Sequence, residues 1–457
     1  MTDLVRHLRA TIRGRVLAPA DAEYDSARVG FVTGLDTRPA AIVQVADATD
    51  VAAALSVARD ESLPLAVRGG GHSPAGHGMV EGGVVVDLRA MRGLEIDATA
   101  RTAWADGGLT AGEYTKVAAA HGLATGFGDT GTVGIGGITL AGGVGFLHRA
   151  QGLTIDNLLA AEVVTATGDR IHTDEETHPD LFWALRGGGG NFGVVTRFRY
   201  RLHEVGTVTS GQLIVPATAA RIAAFLAAAL ESEDAFSGLI VVAPAPPMPM
   251  IPAEHHGRMM IMAHFVHSGP LGEGERAFAR LRAIAPPVVD HVEAIPYPRI
   301  YEAEGGPPNP TFLATRSTFL DHMDDTLAQA ILDALAASTA QVRMAQFRVL
   351  GGAVARVPVE ATAFAHRHRG LLAVAGAMYT DAGEAAPHQA WVTELAAALG
   401  QGEPGAYTGF LSSDDAAHTR AAYPGATGRR LAVIKARWDP HNLFRRNVNV
   451  VPERERV

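Results

Sequence analysis

The sequence predicts an α+β fold in two domains, followed by a C-terminal segment. The chain has 457 residues, more than a single hydrophobic core usually serves. From residue 40 short apolar runs alternate with helical patterns, and beyond residue 205 the texture changes to strand-like segments separated by helical patterns of their own. We therefore place the domains at residues 1–205 and 206–415, and the C-terminal segment at residues 416–457.

The composition is ordinary for a soluble globular enzyme. Hydrophobic residues make up 47% of the chain and charged residues 19%, and the net charge of −9 argues against a nucleic-acid partner, which would need a basic face. The chain has no cysteine, which excludes disulfides, thiolate nucleophiles and zinc–sulfur sites. The 19 histidines lack carboxylates at ligand spacing, so we expect no metal site.

The N-terminus carries Leu4, Leu8 and Ile12 at helical spacing, with arginines between them. This pattern predicts a short docking helix; a basic amphipathic membrane anchor is the alternative. No apolar run reaches signal-peptide length or the roughly 18 residues of a membrane helix. We therefore expect a cytoplasmic protein that does not bind to or span a membrane.

The other elements of the first domain are short. Apolar runs rich in valine predict strands, and polar caps before periodic apolar residues predict helices. The predicted strands cover residues 41–45, 65–67, 83–88, 103–108 and 161–166, and the predicted helices cover residues 51–59 and 110–121.

A glycine run follows the strand at residues 65–67. Arg68 is followed by Gly69, Gly70 and Gly71, and the run ends at His72. Consecutive glycines allow strained dihedrals and can turn several N–H groups toward one point, which suits a diphosphate. A tight turn without a ligand is the alternative interpretation.

Residues 125–145 are the richest glycine region. Gly126, Gly128 and Gly131 match the spacing of a dinucleotide-binding fingerprint, but the next residues are too glycine-rich to begin a helix, and no acidic residue follows at the required distance. We favour a backbone that passes close to a flat ring, where side chains would collide. A glycine-rich connection without a ligand remains the alternative.

The glycine run resembles the flavin-attachment loop of FAD-linked oxidases of the berberine bridge enzyme type, within the vanillyl-alcohol oxidase, or PCMH-type, fold superfamily. The family pattern Arg-x-Gly-Gly-His-[Ser/Asn/Asp] is matched from Arg68 to Ser73, with His72 in the place that bonds the 8α-methyl of FAD. Many relatives add a cysteine link, but Thr130 stands in that place here. The resemblance implies FAD attached through His72 only.

The resemblance runs almost end to end and is strongest to bacterial 6-hydroxynicotine oxidases of the D-specific kind. It implies a PCMH-type FAD-binding domain at residues 1–205, an antiparallel substrate-domain sheet backed by helices at 206–415, and a C-terminal segment that returns to the first domain. In the family, valine at the place of Val133 accompanies oxidase behaviour. The implied cofactor-binding residues are Arg68, Gly69, Gly70, Gly71, His72, Ser73, Thr130, Thr132, Val133, Gly136, Gly137, Gly142, Gly143, Val195, Asn447 and Asn449.

Within the second domain, residues 341–352 alternate as a strand, so that 343, 345 and 347 share one face. The side chains of one face should point toward the flavin. The resemblance matches Arg343, Ala345 and Phe347 to a lysine and two glutamates of the nicotine oxidases. Because both carboxylates are missing here, a hydroxynicotine substrate is doubtful. We take these three and Gln346 as the substrate pocket; buried sheet packing is the alternative for Phe347. The other predicted elements are strands at 212–215, 239–242, 258–266 and 311–319, helices at 218–231, 274–284 and 324–337, and loops at 243–252 and 304–310.

Relatives often place a tyrosine base just before the C-terminal segment, and Tyr407 is our candidate. The resemblance implies an FAD-dependent oxidase that takes hydride from a C–O or C–N bond of a small molecule at flavin N5, with oxygen as acceptor and hydrogen peroxide as product. A dehydrogenase of the same fold is the alternative. A colourless NAD enzyme and a catalytically idle flavin-binding module are alternatives from other classes. The substrate and the number of subunits, including a homo-oligomer, stay open.

Overall fold

The computed structural model describes residues 3–301, 311–413 and 416–453. The loop predicted at 304–310 lies outside these ranges, and so does residue 415, the last residue of the predicted second domain. In the first domain the elements are α1 Asp3–Thr11, β1 Arg15–Leu17, α2 Tyr24–Arg28, β2 Ala41–Gln44, α3 Ala48–Asp60, β3 Leu65–Arg68, β4 Val84–Asp87, β5 Leu94–Asp97, β6 Thr102–Asp106, α4 Ala111–Ala119, β7 Leu123–Ala124, α5 Ile135–Ala141, α6 His148–Gln151, β8 Leu158–Val164, β9 Arg170–Thr173, α7 Pro179–Leu185, β10 Val194–Arg201 and β11 His203–Glu204.

Two sheets build this domain. The first has the order β1-β2-β4-β3, in which β2, β4 and β3 run parallel. The second has the order β5-β6-β10-β8-β9 and is antiparallel throughout. Because β3 ends at Arg68, its carboxyl end delivers the glycine run to the edge of the first sheet.

The second domain is one seven-stranded antiparallel sheet of order β15-β12-β14-β13-β17-β18-β16. A large apolar core lies between this sheet and the helices behind it, and it includes Phe225, Phe278, Leu335 and Leu395 from four of those helices. The elements are β12 Thr207–Pro216, α8 Ala219–Leu230, β13 Phe236–Pro244, β14 Met259–His267, α9 Leu271–Arg282, β15 Val289–Pro296, β16 Phe312–Leu320, α10 Asp325–Ala337, β17 Val342–Val349, α11 Ala353–Arg356, β18 Leu371–Tyr379 and α12 Ala385–Leu399.

The α+β class, with an antiparallel sheet backed by helices, is confirmed. Periodicity located α8, α9 and α10 but not α12, the longest helix among the described residues. Helices α8 and α10 begin after Thr218 and Asp324, whose side chains accept N–H groups of the first turn. Strands β15 and β18 were not among the predicted elements.

The C-terminal segment contains α13 Ala416–Ala422 and α14 Gly425–Trp438. Leu431 and Ile434 of α14 join the core of the first domain, which also contains Trp183 and Phe192. The Lys435 ammonium is fully buried and donates to Asp439 and to the backbone oxygen of Asn191, both at 2.6 Å. These contacts fix the segment against the first domain.

The glycine-rich region forms a helix after all. α5 begins at Ile135, four residues beyond Gly131, so the expectation that this stretch cannot start a helix is wrong. The fully buried side chains of Ile135 and Thr139 hold α5, and the Thr139 hydroxyl bonds the Tyr200 hydroxyl at 2.7 Å. A Rossmann site is excluded on other grounds, because the preceding β7 has two residues and pairs antiparallel with β11 instead of joining a parallel sheet.

Candidate active site

A cavity of about 600 Å³ lies between the first domain and the open face of the seven-stranded sheet. Its volume is typical of sites for small molecules and cofactors. On one side the walls come from the glycine run, the 128–137 region, residues 189–195 and residues 446–448. On the other side they come from β13, β14, β16, β17, β18 and residues 407–410.

The two glycine-rich regions of the sequence meet in this wall. A Cβ on Gly70 would lie 2.3 Å from the backbone nitrogen of Gly134, and a Cβ on Gly134 would lie 2.2 Å from that of Gly70. Gly71 has φ of +75°, in the region that favours glycine. The close approach of the two backbones therefore requires glycine at both positions.

Arg68 ties the glycine run to the N-terminal segment. Its guanidinium is buried and donates to the backbone oxygens of Ala27 and Val29, the latter at 2.5 Å. Burial lowers the pKa of Arg68 to about 10. Arg68 thus lines the cavity while its charge is held by backbone carbonyls.

His72 is half-buried on the cavity wall, and its imidazole stacks on the ring of Phe31. Ser73 and His77 line the same part of the cavity. The histidine expected to carry the cofactor therefore faces the space in which a cofactor would lie.

The cavity fits FAD in two respects. Gly137 and Gly190 both line it, and a Cβ on either would meet no protein atom within 4 Å, so their missing side chains leave room for a flat group. Asn447 donates to the backbone oxygens of Gly190 and Phe444, whereas its buried Oδ1 has no partner among the described residues. A buried amide oxygen without a partner is costly, and a donor on a bound cofactor would satisfy it.

Most of the predicted cofactor residues surround this one cavity. Thr132 is exposed and lies off the cavity wall; Gly142, Gly143 and Asn449 also lie off it. The predicted residues that do line the cavity are Arg68, Gly69, Gly70, Gly71, His72, Ser73, Thr130, Val133, Gly136, Gly137, Val195, Gln346, Tyr407 and Asn447.

The predicted substrate pocket on β17 is wrong for three of its four residues. Ala345 and Phe347 are fully buried in the core behind the sheet, and the Arg343 guanidinium donates to the backbone oxygens of Leu335 and Ala340 at 2.8 and 3.2 Å. Met344, Gln346 and Arg348 alternate with them and line the cavity instead. The helices of the second domain pack against the more apolar face of β17, which carries Ala345 and Phe347.

Tyr407 lies in the cavity wall with 4% of its surface exposed. Its hydroxyl oxygen accepts the N–H of Gly143 at 3.0 Å, and its backbone is held by Ser317. Burial raises the pKa of Tyr407 to about 12, so the phenol keeps its proton at neutral pH.

Sequence reasoning missed an ion pair that joins the two sides of the cavity. Arg348 of β17 contacts Asp129 of the glycine-rich region, and both side chains line the cavity. The available signal was weak: Asp129 interrupts a glycine-rich stretch, and Arg348 lies on the strand face opposite the one chosen. His264 of β14, whose pKa burial lowers to about 4, was also missed.

Comparison with known proteins identifies the family. Residues 39–174 match the FAD binding domain family, and residues 406–451 match the family described as berberine and berberine like. The (R)-6-hydroxynicotine oxidase of Paenarthrobacter nicotinovorans is 31% identical over 97% of this chain and 98% of its own length. The chain belongs to the berberine bridge enzyme-like family. It is an FAD-linked oxidoreductase of that family.

Solved structures agree with this assignment. The crystal structure of 6-hydroxy-D-nicotine oxidase from Arthrobacter nicotinovorans superposes with a TM-score of 0.87 at 29% identity, over 97% of this chain and 98% of that one. Glucooligosaccharide oxidase from Acremonium strictum superposes with a TM-score of 0.86 at 22% identity, over 99% of this chain and 100% of that one, and it shows the shared fold. FAD in that oxidase is the 6-S-cysteinyl, 8α-N1-histidyl form, whereas this member of the family has no cysteine.

Across the described parts of this berberine bridge enzyme-like chain, no helix is both long and apolar enough to cross a membrane. Over the same parts, no group of three or more histidine, aspartate or glutamate side chains is arranged to hold a metal ion.

Proposed function

We propose that this protein is an oxidase that carries FAD on His72 alone and oxidises a C–O or C–N bond of a small organic molecule, with oxygen as the electron acceptor. The observation that carries the proposal is the position of His72, at the end of the glycine run and on the wall of a cavity in which Gly137 and Gly190 leave space. With no cysteine in the chain, a second link of the cysteinyl kind has no candidate residue.

FAD, when bound, supplies N5 as hydride acceptor and passes the electrons on to oxygen. The residues of the chain hold the cofactor and the substrate in position. The backbone at Gly70 and Gly134 forms a close-packed wall, Asn447 offers a free acceptor, and Gln346 and Thr315 extend polar groups from the sheet. Holding the substrate C–H close to the acceptor accounts for much of the rate enhancement expected of such a site.

Tyr407 is the proposed acid–base group. An alcohol must lose its hydroxyl proton, and a phenol that is protonated at neutral pH accepts one only after it has lost its own. An amine whose nitrogen is already neutral needs no such base. The pKa of Tyr407, about 12, therefore favours amine oxidation near neutral pH and alcohol oxidation at alkaline pH.

The attachment is tested on the purified protein. We expect denatured wild-type protein to retain yellow colour and flavin fluorescence, and peptide fragmentation to place the added mass on His72. H72A should release all of its flavin on denaturation. H77A is the matched control, since His77 also lines the cavity, and it should keep the link. Flavin that leaves the denatured wild-type protein would contradict the covalent link, and a colourless protein would contradict the function.

The acceptor is tested with an oxygen electrode once anaerobic flavin bleaching has found a substrate. Oxygen consumption matched by hydrogen peroxide supports the oxidase. Turnover that requires an added dye, without oxygen consumption, would support the dehydrogenase instead.

A further inference from the structure

The ion pair in the cavity wall is short and largely removed from solvent. Both Nε and Nη2 of Arg348 donate to Oδ2 of Asp129, at 2.9 and 2.5 Å. The side chain of Arg348 is 6% exposed and that of Asp129 is 19% exposed. Arg348 comes from the substrate-domain sheet and Asp129 from the cofactor side, so the pair forms where the two walls of the cavity meet.

The remaining groups of both partners are also engaged. The Arg348 guanidinium lies 4.4 Å from the ring centroid of Phe410, and its Nη1 is 3.4 Å from Oε1 of Gln346. Oδ1 of Asp129 accepts the hydroxyl of Thr130 at 3.2 Å. Each charge is therefore neutralised inside the protein before any ligand enters.

The rest of the sheet wall is neutral. Among the described residues that the sheet contributes to the cavity, Arg348 is the only one with a permanent charge. His264 packs against Phe146 and is uncharged near neutral pH because burial lowers its pKa to about 4. The other sheet residues in the wall carry no charge: Leu239, Leu313, Thr315, Met344, Gln346, Val374, Gly376 and Met378.

We propose that the Asp129–Arg348 pair makes this site selective for uncharged substrates, with Asp129 as the specificity-determining residue that masks Arg348 from anions. The proposal rests on the proposed function, because it names the substrate class of the same site. An ion that enters loses its hydration, and no unpaired counter-charge on the sheet wall offsets that loss. A carboxylate would first have to separate Arg348 from Asp129.

The test uses three planar ligands of nearly equal shape: benzamide, which is neutral, benzoate, an anion, and benzamidinium, a cation. Dissociation constants are measured by calorimetry on the flavin-loaded protein. The wild type should bind benzamide at least about tenfold more tightly than either ion. In D129N the unmasked arginine should strengthen benzoate binding at least about tenfold and change benzamide binding less than about threefold.

The reciprocal variant keeps the test informative if D129N fails to fold. R348M leaves Asp129 unpaired and should strengthen benzamidinium binding by about tenfold. The double variant D129N/R348M should favour neither ion. M378L, which alters the same wall without changing charge, should keep the wild-type order.

The proposal would be overturned by a wild type that binds either ion as tightly as benzamide, or that binds no benzamide up to its solubility. It would also be overturned by a D129N protein whose affinity for benzoate does not rise. Binding is measured without turnover. A protein that binds as expected but oxidises nothing would therefore overturn only the proposed function, whereas an active oxidase with an unchanged order in D129N would overturn only this inference.

Discussion

The imidazole of His72 lies face to face with the phenyl ring of Phe31, with ring centroids 4.9 Å apart and planes inclined by 22°. Phe31 reaches this position from the N-terminal segment, where its N–H donates to the backbone oxygen of Gly71 at 3.0 Å. Arg68 holds the same segment through Ala27 and Val29. A segment outside the glycine run therefore packs against the imidazole that is proposed to carry the flavin.

Replacing Phe31 should slow the attachment of FAD. F31A removes the stacked ring, and because an attacking group that is poorly oriented reacts slowly, we expect covalent incorporation to fall by about tenfold or more. Apo-protein is mixed with FAD, and flavin fluorescence of the denatured chain is followed with time. F31W keeps an aromatic face and should restore most of the rate, whereas non-covalent FAD binding should be similar in all three proteins. Wild-type incorporation by F31A would show that the stack is not needed.

Val133 is expected to control oxygen access. It is half-buried in the cavity wall, so one added methylene would occupy space inside the cavity. In V133L we expect the reduced enzyme to react with oxygen about tenfold more slowly, while the reductive half-reaction changes little. Stopped-flow mixing of the reduced protein with oxygenated buffer measures the step. V133A, which removes volume, should not slow it, and an equal slowing in both variants would argue against steric control.

Removal of the Tyr407 hydroxyl should lower alcohol oxidation. For Y407F we expect a loss of at least about tenfold, the low end of what a positioned acid–base group contributes. A base acts in its deprotonated form and the pKa of Tyr407 is about 12, so the wild-type rate with an alcohol should keep rising through the alkaline range, and the Y407F rate should not.

The control for Y407F is stability, because the N–H of Gly143 loses its acceptor. An unsatisfied buried N–H costs about 1–3 kcal/mol, so the melting temperature is measured alongside turnover. Tyr423→Phe removes a second buried hydroxyl from the cavity wall and should leave the pH profile unchanged. An unchanged Y407F pH profile with an alcohol would exclude Tyr407 as the base.

The β17 strand shows what periodicity can and cannot predict. Alternation identified the strand and its two faces, but the face was assigned by resemblance and fell on the helix side. The residues held the signal, since Ala345, Phe347 and Val349 form an apolar row whereas Gln346 and Arg348 are polar. A sheet backed by helices buries its apolar row in that core, and the polar row is left for the cavity.

Two other features could not be predicted from the sequence, for different reasons. Helix α5 forms among glycines because tertiary contacts of Ile135 and Thr139 outweigh the low helix propensity. The pairing of Asp129 with Arg348 joins residues 219 positions apart, and no local pattern specifies such a contact. The glycine run, by contrast, was predictable as a turn because its signal is local: three consecutive glycines allow a positive φ, which Gly71 adopts at +75°.

His366 is expected to make the fold sensitive to acid. The residue is 8% exposed, its ring centroid lies 4.3 Å from that of Phe319, and its Nε2 lies 3.1 Å from the backbone oxygen of Ala421. Burial lowers its pKa from 6.5 to about 4, and the charge of Arg369 adds to this effect. The folded state therefore resists a proton that the unfolded state accepts.

The sign follows from proton counts. Between pH 6.5 and pH 4 the unfolded chain holds a proton on His366 and the folded chain does not, so acid favours unfolding across this window. The contribution of His366 is fully present above pH 6.5 and is lost as the pH falls toward 4, up to about 3 kcal/mol at the lower end. H366N removes the titrating ring and should lose less stability than the wild type between these two pH values, as measured by urea unfolding at each. H121N, at an exposed histidine, is the control, and equal pH dependence in the two variants would contradict the assignment because His366 is buried and His121 is not.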